Sequence, residues 1–374
     1  MFQRLYWLRV KTYSKIRRMI ISRYLTRQIL QVTTATTFIL LAVIVLGRFL
    51  KYLAQASQGE IDPGVLLLLM LYRIPEFIQL ILPLALLLSI LLAFGRMYAD
   101  NEMAVLSACG LSTRRLLGIT LVSASIVAVT VGVFSFKVTP WGLVNTANLL
   151  EAQKELNEFD VMVPGLFQNI SRGARTTYTE NIEDEEMQNV FMHESATGRV
   201  TVADIAVPVE DEEGRIVMFY DGSVSEKEVE GEGFMLTSFG EMGVRIPDRE
   251  ISIDITVEEK AMPTMLLWQT GQAAHLAELQ WRISLVLLIP VLTLMAVPLS
   301  RVSPRQGRFA KLVPAVFLYI LYFGLLLVSR DLTAAGELPP VLGVWWVHMI
   351  FLFLGWVLFT NKMPDLSITG FLQK

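Results

Sequence analysis

Two cationic side chains beside an apolar segment are the first residues in this sequence whose types and spacing could do chemistry. Arg48 and Lys51 follow the uncharged stretch 29–47 and are three residues apart, so they share one face of a continuing helix. Guanidinium and ammonium groups at a membrane surface can bind the phosphates of a lipid headgroup. They can also be interfacial anchors, with long side chains that extend toward water. Residue type and spacing leave both interpretations open.

The second candidate is the stretch YADNEMAVLSACGLSTRRL, which lies between two long apolar runs. It predicts a short helix that Asp100 or Asn101 caps and that Gly110 ends in a left-handed conformation. Ser112 or Thr113 can cap the helix that follows. A helix of about ten residues is about 15 Å long and is marginal alone in water. It therefore needs a partner surface, which is either another protein chain or lipid.

One side of this predicted helix is apolar, and an acid lies near its start. Glu102 complements the positive end of the helix dipole in the first turn. Cys109 is the one cysteine of the chain, and we expect it to be a small packing residue rather than a redox site. Four residues are predicted to share the apolar side at helical spacing: Met103, Val105, Leu106 and Cys109.

Motifs for nucleotide, metal or covalent chemistry are absent from the sequence. The dipeptide Gly-Lys never occurs, so the chain has no phosphate-binding P-loop. The three histidines, His193, His275 and His348, are far apart, and a single cysteine cannot form a zinc site. We therefore expect no cofactor in this chain, no metal and no nucleic-acid partner. A hydrolytic site around His193 stays open, because catalytic triads are spatial.

Composition indicates a membrane protein. Of 374 residues, 53% are hydrophobic and 18% are charged, and the mean hydropathy is +0.50. About 20 apolar residues cross a bilayer, and six segments of that kind occur. The predicted spans are 29–47, 65–95, 116–136, 283–300, 312–329 and 341–361.

The second span is longer than a bilayer requires. Its 31 residues would rise about 46 Å, against a hydrocarbon core of about 30 Å. Pro75 and Pro83 offer positions for kinks. Arg73 and Glu76 are three residues apart in the same segment, and they predict an ion pair near its outer end.

Charge distribution predicts the topology. The first 28 residues carry eight Lys and Arg, and further cations follow at 96–115 and 301–311, so both termini are predicted to be cytosolic. Residues 151–260 carry 26 acids and 9 bases and lie between the third and fourth spans, which places them outside. Residues 1–18 are either a basic cytosolic arm or precede a start at Met19.

The acidic segment is predicted to be a β domain. Alternation of apolar and polar residues predicts strands at 199–207, 215–229 and 251–257. About six to nine short strands indicate an antiparallel sandwich or open barrel. Turn signals occur at 213–215, 221–223, 230–233 and 246–248.

Three runs of sequence resemble one known family. The runs 81–112, 277–287 and 296–323 resemble the lipopolysaccharide-export permeases of Gram-negative inner membranes. Their strings Ala-Cys-Gly-Leu-Ser and Pro-Arg-Gln-Gly-Arg are similar to the F-type permease rather than to its G-type partner. The resemblance extends over nearly the whole chain from Met19.

The resemblance implies a non-catalytic half-transporter. Such permeases have six transmembrane helices and a periplasmic β-jellyroll between helices three and four. The F-type and G-type permeases form a heterodimer on a homodimeric cytosolic ATPase, which binds the ATP. A single-span partner inserts its helix beside them. The complex extracts lipopolysaccharide from the outer leaflet of the inner membrane and passes it to a periplasmic bridge protein.

The resemblance also implies roles for particular residues. Arg48 and Lys51 match two cationic positions that meet lipid A phosphates, and Glu102 matches the acid of a cytosolic helix that docks on the ATPase. With Glu102 we group Met103, Leu106, Cys109 and Gly110 as coupling residues. The predicted divisions are an arm at 1–28, helices at 29–140 with the coupling helix at 98–110, a jellyroll at 141–270 and helices at 271–374.

Three other functions remain open at this stage. One is another ATP-driven permease for lipids or lipoproteins with an outer β domain, although such proteins usually have four spans. Another is a membrane enzyme whose site lies in the β domain. The third is a structural scaffold.

Overall fold

The computed structural model describes residues 2–57, 61–155, 164–170, 175–183, 186–211, 214–227, 233–245, 258–302, 309 and 311–360. Its α-helices are α1 (Phe2–Ser57), α2 (Leu66–Ala99), α3 (Glu102–Ala108), α4 (Thr113–Val133), α5 (Thr139–Glu155), α6 (Glu258–Ala261), α7 (Thr264–Thr270), α8 (Ala273–Leu299), α9 (Leu312–Ala334) and α10 (Trp345–Thr360).

The chain divides into two compact units. The first unit contains Met1–Ile44, Arg73–Val144 and Thr256–Lys374, and the second contains Val45–Tyr72 and Asn145–Ile255. This division differs from the predicted one, in which residues 141–270 alone formed the outer domain.

Packing at the ends of three helices explains the difference. Tyr52 of α1 and Leu69 of α2 are buried in the same hydrophobic cluster as Leu150 of α5. Ile61, from the connection between α1 and α2, and Leu66 and Met70 of α2 complete its core. The ends of the first two apolar segments therefore pack with the chain that leads into the β domain.

The first unit is a helical bundle around α8. This helix is apolar on most of its surface, which is typical of a helix that is buried on all sides. Leu285, Leu288 and Leu292 of α8 are almost fully buried, and they share one hydrophobic core with Phe94 of α2 and Tyr322 of α9. The core thus joins elements from both halves of the chain.

Five of the six predicted spans are confirmed in the described part of the chain as helices long and apolar enough to cross a membrane. They are Met19–Ser57, Pro63–Ala99, Thr113–Ala152, Ala273–Leu299 and Leu312–Ala334. The sixth segment is a shorter apolar helix, Trp345–Thr360, because residues 341–344 form turns and residue 361 lies outside the described residues. The cytosolic placement of both termini stays a prediction.

Two helices extend beyond the predicted boundaries. α1 begins at Phe2, so the predicted arm at 1–28 is continuous with the first span. The third predicted span lies within a longer helical run, because α4 continues through a π-helical turn, Phe134–Val138, into α5. A π-turn adds a residue to the helix without ending it.

The second unit contains one antiparallel sheet. Its order is β1-β2-β4-β5-β6-β7, and β3 pairs with β4. The predicted strands at 199–207 and 215–229 are confirmed as β5 and β6, whereas 251–257 lie outside the described residues. The strands are β1 (Gln168–Ile170), β2 (Arg175–Tyr178), β3 (Asn181–Glu183), β4 (Glu186–Glu194), β5 (Arg199–Asp211), β6 (Gly214–Lys227) and β7 (Phe234–Arg245).

Alternation along the strands gives the sheet its apolar face. Met187 and Val190 of β4, Ala203 of β5 and Val217 and Phe219 of β6 are buried together in a separate core. Of the other turn signals, residues 214–215 are the first residues of β6, and residues 213, 230–232 and 246–248 lie outside the described residues.

The predicted turn at 221–223 is wrong, because β6 runs straight through it. Asp221 adopts a positive φ of 50°, which aspartate tolerates better than most residues. The strand keeps its register on either side, with Tyr220 opposite Ile205 and Gly222 opposite Ala203. A β-carbon at Gly222 would collide with the Val202 carbonyl oxygen and the adjacent β7 side chain. The Asp-Gly pair therefore lies within a continuous strand instead of ending it.

Candidate functional site

The short helix α3 is attached to the first unit at its charged start. Glu102, its first residue, accepts a hydrogen bond of 3.1 Å from the hydroxyl of Tyr24 on α1. Nearby, Nη2 of Arg96 at the end of α2 donates to Oε1 of Gln28 on α1, at 3.4 Å. Polar contacts thus join α1 to both α2 and α3 at this end of the bundle.

The four residues predicted to share the apolar side of α3 divide between two sides. Met103 is buried in the core of the first unit, and Leu106 packs against that core. Val105 is 62% exposed and Cys109 is exposed. Residues three or four apart share a helix face, whereas residues two apart point in nearly opposite directions. Met103 and Leu106 therefore fasten α3 to the bundle, and Val105 and Cys109 lie on its outer surface.

The ends of α3 match the predicted signals only in part. Gly110 adopts the expected left-handed conformation, with φ of 88°, and Ser112 caps α4 by accepting from the backbone N–H of Arg115. Asn101 occupies the cap position of α3, but it is itself left-handed and its side chain makes no capping hydrogen bond. Asp100 forms a turn before it. The helix has seven residues rather than ten.

The predicted cationic pair lies on a continuous helix, as expected. Arg48 and Lys51 both belong to α1, where Lys51 is exposed and Arg48 is half-buried. Tyr52, the next residue, is 1% exposed in the core of the second unit. That buried ring fixes the rotation of the helix and so fixes the outward direction of Lys51. The role of the pair in binding phosphate stays a prediction.

The predicted ion pair in the second span is confirmed. Nη2 of Arg73 lies 2.8 Å from Oε2 of Glu76, and both side chains are largely buried. A pair inside a mostly apolar helix satisfies two charges that would be costly alone.

A second buried ion pair was not predicted, although it lies in one of the runs that carried the family resemblance. Nε of Arg282 donates to Oε1 of Glu278 at 3.0 Å, one turn earlier in α8. Nη1 donates to Oγ1 of Thr264 at 2.8 Å, and Nη2 donates to the carbonyls of Lys260 and Met262 at 2.9 and 3.0 Å. The guanidinium thus fastens the chain between α6 and α7 onto α8.

The hydroxyl of Thr264 extends this network to the third span. It donates to the carbonyl of Phe136 at 3.0 Å. Pro140 follows that carbonyl by four residues and has no N–H to donate to it. The signal in the sequence was the spacing of Glu278 and Arg282, an i, i+4 charge pair inside an apolar span.

A cavity of about 190 Å³ lies beside this network. It has lining groups of both charges, including Lys260 and Arg330 as well as the paired Glu76 and Glu278. The guanidinium carbon of Arg330 lies 4.8 Å from the ring centre of Trp281, which is cation–π geometry. With Arg282, the lining carries three cations and two carboxylates, so its formal charge is +1.

The candidate metal ligands of the described residues are dispersed over different elements. No group of three His, Cys, Asp or Glu there could hold a metal ion. His193 lies in β4, whereas His348 lies in α10 and shares hydrogen bonds with Tyr322 and Ser284. His275 lies in α8, where its Nδ1 shares a hydrogen bond with the Thr270 hydroxyl.

Comparisons with known proteins agree on one protein family. Residues 23–361 match the sequence model of the family described as lipopolysaccharide export system permease LptF/LptG. The chain is 32% identical over 346 residues to the lipopolysaccharide export system permease protein LptF of Escherichia coli K12, and the match covers 91% of this chain and 94% of that protein. The LptF proteins of Escherichia coli O157:H7 and Shigella flexneri match with the same identity and coverage.

Proposed function

Because this chain belongs to the LptF/LptG family of lipopolysaccharide export permeases, we propose that it is the F-type half of the transporter in the inner membrane. Family membership and the five apolar spans make it a multi-pass inner-membrane permease. In the proposal, it takes lipopolysaccharide from the outer leaflet and passes it to a periplasmic bridge protein. The chain itself carries no cofactor, and a separate cytosolic ATPase binds the ATP.

The proposed assembly has four protein partners. The chain pairs with a G-type permease, and the pair sits on a homodimeric ATPase. A single-span protein and the periplasmic bridge protein complete the path for lipopolysaccharide. The basic segments at 1–28, 96–115 and 301–311 support cytosolic termini, and the acidic composition of 151–260 supports a periplasmic β domain with a jellyroll fold.

The contacts of α3 are the observation that supports its proposed role in coupling the permease to the ATPase. Glu102 is bonded to α1, while Met103 and Leu106 are anchored in the core that contains α8. The opposite side of the helix, with Val105, is exposed. A partner that moved α3 would therefore act on α1 and on the bundle core together. We assign this exposed side and Glu102 to the ATPase.

Replacement of Glu102 by alanine tests the assignment. We expect the complex to lose ATPase association, or to hydrolyse ATP without extracting lipopolysaccharide, while the permease still inserts. Asp100→Asn is the matched control, since Asp100 is an exposed acid two residues away and is expected to leave coupling unchanged. Normal association and normal transport in the Glu102→Ala complex would contradict the role of α3.

Arg48 and Lys51 are proposed to bind the phosphates of lipid A. Charge-assisted hydrogen bonds contribute about 1.5–3 kcal/mol each, so the pair would hold one headgroup firmly. The Arg48→Ala, Lys51→Ala double variant is expected to lower photocrosslinking to lipopolysaccharide at matched expression. The charge-preserving variant Arg48→Lys, Lys51→Arg is expected to keep most of it. Equal crosslinking in the alanine variant would show that both residues are interfacial anchors and do not bind phosphate.

A further inference from the structure

A cleft of about 560 Å³ opens between residues 19–26 of α1 and residues 115–122 of α4. Its volume falls within the range of about 300–1,000 Å³ that is typical of small-molecule sites. The wall is mostly apolar and includes Met19, Ile20 and Val122, each more than 60% exposed. Neither the coupling helix nor the Arg48–Lys51 pair contributes to it.

Two arginines give the cleft a positive charge. Arg23 of α1 and Arg115 of α4 both line it. Among the described residues, neither guanidinium has a hydrogen-bond or ion-pair partner, whereas Arg73, Arg199, Arg282 and Arg330 all have carboxylate partners. An arginine fork matches the geometry of phosphate oxygens. The cleft therefore combines two cations with an apolar groove.

A hydrogen bond between the two helices and a glycine on α4 shape the groove. The hydroxyl of Ser123 on α4 donates to the hydroxyl of Thr26 on α1 at 2.9 Å, which joins the two helices. Gly118, one turn after Arg115, leaves the groove unobstructed, and a β-carbon there would meet no atom within 4 Å. An extended acyl chain can follow such a groove along α4 past Val122.

We propose that this cleft binds one anionic phospholipid of the surrounding membrane, with its phosphate on Arg23 and Arg115 and one acyl chain along Gly118 and Val122. Both helices are candidate membrane spans, so the cleft is accessible to lipid. Arg23 precedes Arg48 by 25 residues of α1, more than the roughly 20 residues that cross a bilayer. The bound lipid therefore belongs to the leaflet opposite the proposed lipid A site.

Lipid titration of the full-length chain tests the proposal. The delipidated protein in detergent is titrated with phosphatidylglycerol and, separately, with phosphatidylcholine, and native mass spectrometry measures the bound lipid. We expect one site that prefers phosphatidylglycerol by about tenfold, the change that one charge-assisted hydrogen bond produces. Arg23→Gln with Arg115→Gln should remove this preference. The control Arg114→Gln, at an exposed neighbour outside the cleft, should keep it.

A second variant tests the groove separately from the charges. Gly118→Leu places a side chain in open space and favours the helix, so the protein should fold while both lipids bind more weakly. The proposal is overturned if the preference survives in the Arg23→Gln, Arg115→Gln variant or disappears equally in Arg114→Gln. It is also overturned if purified lipopolysaccharide displaces phosphatidylglycerol at equal concentration, since the site would then belong to the transported lipid.

Photocrosslinking in cells identifies the occupant directly. A photoreactive residue at Val122 should crosslink to phospholipid more strongly than the same residue at Val129, which is equally exposed two turns later but outside the cleft. A crosslink from Val122 to a protein would show that a partner helix fills the groove, and it would refute the lipid assignment.

Discussion

Replacement of Arg282 by leucine is expected to release the segment before α8 while the helical bundle stays assembled. The arginine is 2% exposed, and its guanidinium joins Glu278 to Thr264 and to the backbone carbonyls of Lys260 and Met262. Leucine can replace part of its volume in an apolar span, but it donates no hydrogen bond. Removing one partner of a buried ion pair costs about 3–5 kcal/mol, because the other charge stays buried.

Glu278→Gln is the matched variant, and the structure predicts a smaller effect for it. Without the carboxylate, Arg282 keeps Thr264 and two carbonyls as acceptors, and the new amide oxygen can still accept from Nε. The loss should be about 1–3 kcal/mol, that of a hydrogen bond to a charged group. The two members of one ion pair are therefore expected to be unequal.

Hydrogen–deuterium exchange on the full-length protein in detergent measures the difference. In Arg282→Leu, amides of α7 should exchange at least about 100-fold faster, the factor that corresponds to about 3 kcal/mol of local opening. Amides of α9 should be unchanged, since the core around Tyr322 is intact. Equal acceleration in the two variants, or no acceleration in Arg282→Leu, would refute the view that the carbonyl contacts hold this segment.

Two further predictions concern positions with internal controls. Gly222→Ala should destabilise the β sheet by about 1–3 kcal/mol, because the new methyl group collides with the Val202 carbonyl. In the control Gly240→Ala, the methyl group meets no atom within 4 Å, so this variant should be nearly neutral. The recovery of folded protein and its thermal unfolding compare the two variants. Met103→Ala should lower the free energy of unfolding by about 2–5 kcal/mol, because it leaves a cavity in the bundle core. Val105 is exposed, so Val105→Ala should change that free energy by at most about 0.5 kcal/mol. Unfolding of both variants in the same detergent provides the test.

The fold was predictable wherever one physical property dominates a long segment. Apolar length identified five spans, and period-two alternation identified β5 and β6. Boundaries were less predictable, because helix ends depend on packing. α5 continues to Glu155, where the sequence is no longer apolar, and its Leu150 is buried by α1 and α2. No local pattern contains that information.

The candidate site shows the same limit at the level of single residues. Spacing predicted the ion pair of Arg73 and Glu76, since both members lie on one helix turn. It failed for α3, where Val105 and Met103 were assigned to one side although residues two apart in a helix diverge. The contact of Glu102 with Tyr24 joins residues 78 positions apart, so no rule of local spacing could find it.

The network around Thr264 shows why apparent defects in a sequence need tertiary context. Pro140 has no N–H, so it removes the usual helical donor to the carbonyl four residues earlier. The structure supplies the missing donor from Thr264, a residue 128 positions later, whose oxygen in turn accepts from Arg282. The proline therefore creates the acceptor through which the third span is tied to α8. Loss of the Thr264 hydroxyl would remove two hydrogen bonds at once, the one that it donates to the Phe136 carbonyl and the one that it accepts from the Arg282 guanidinium.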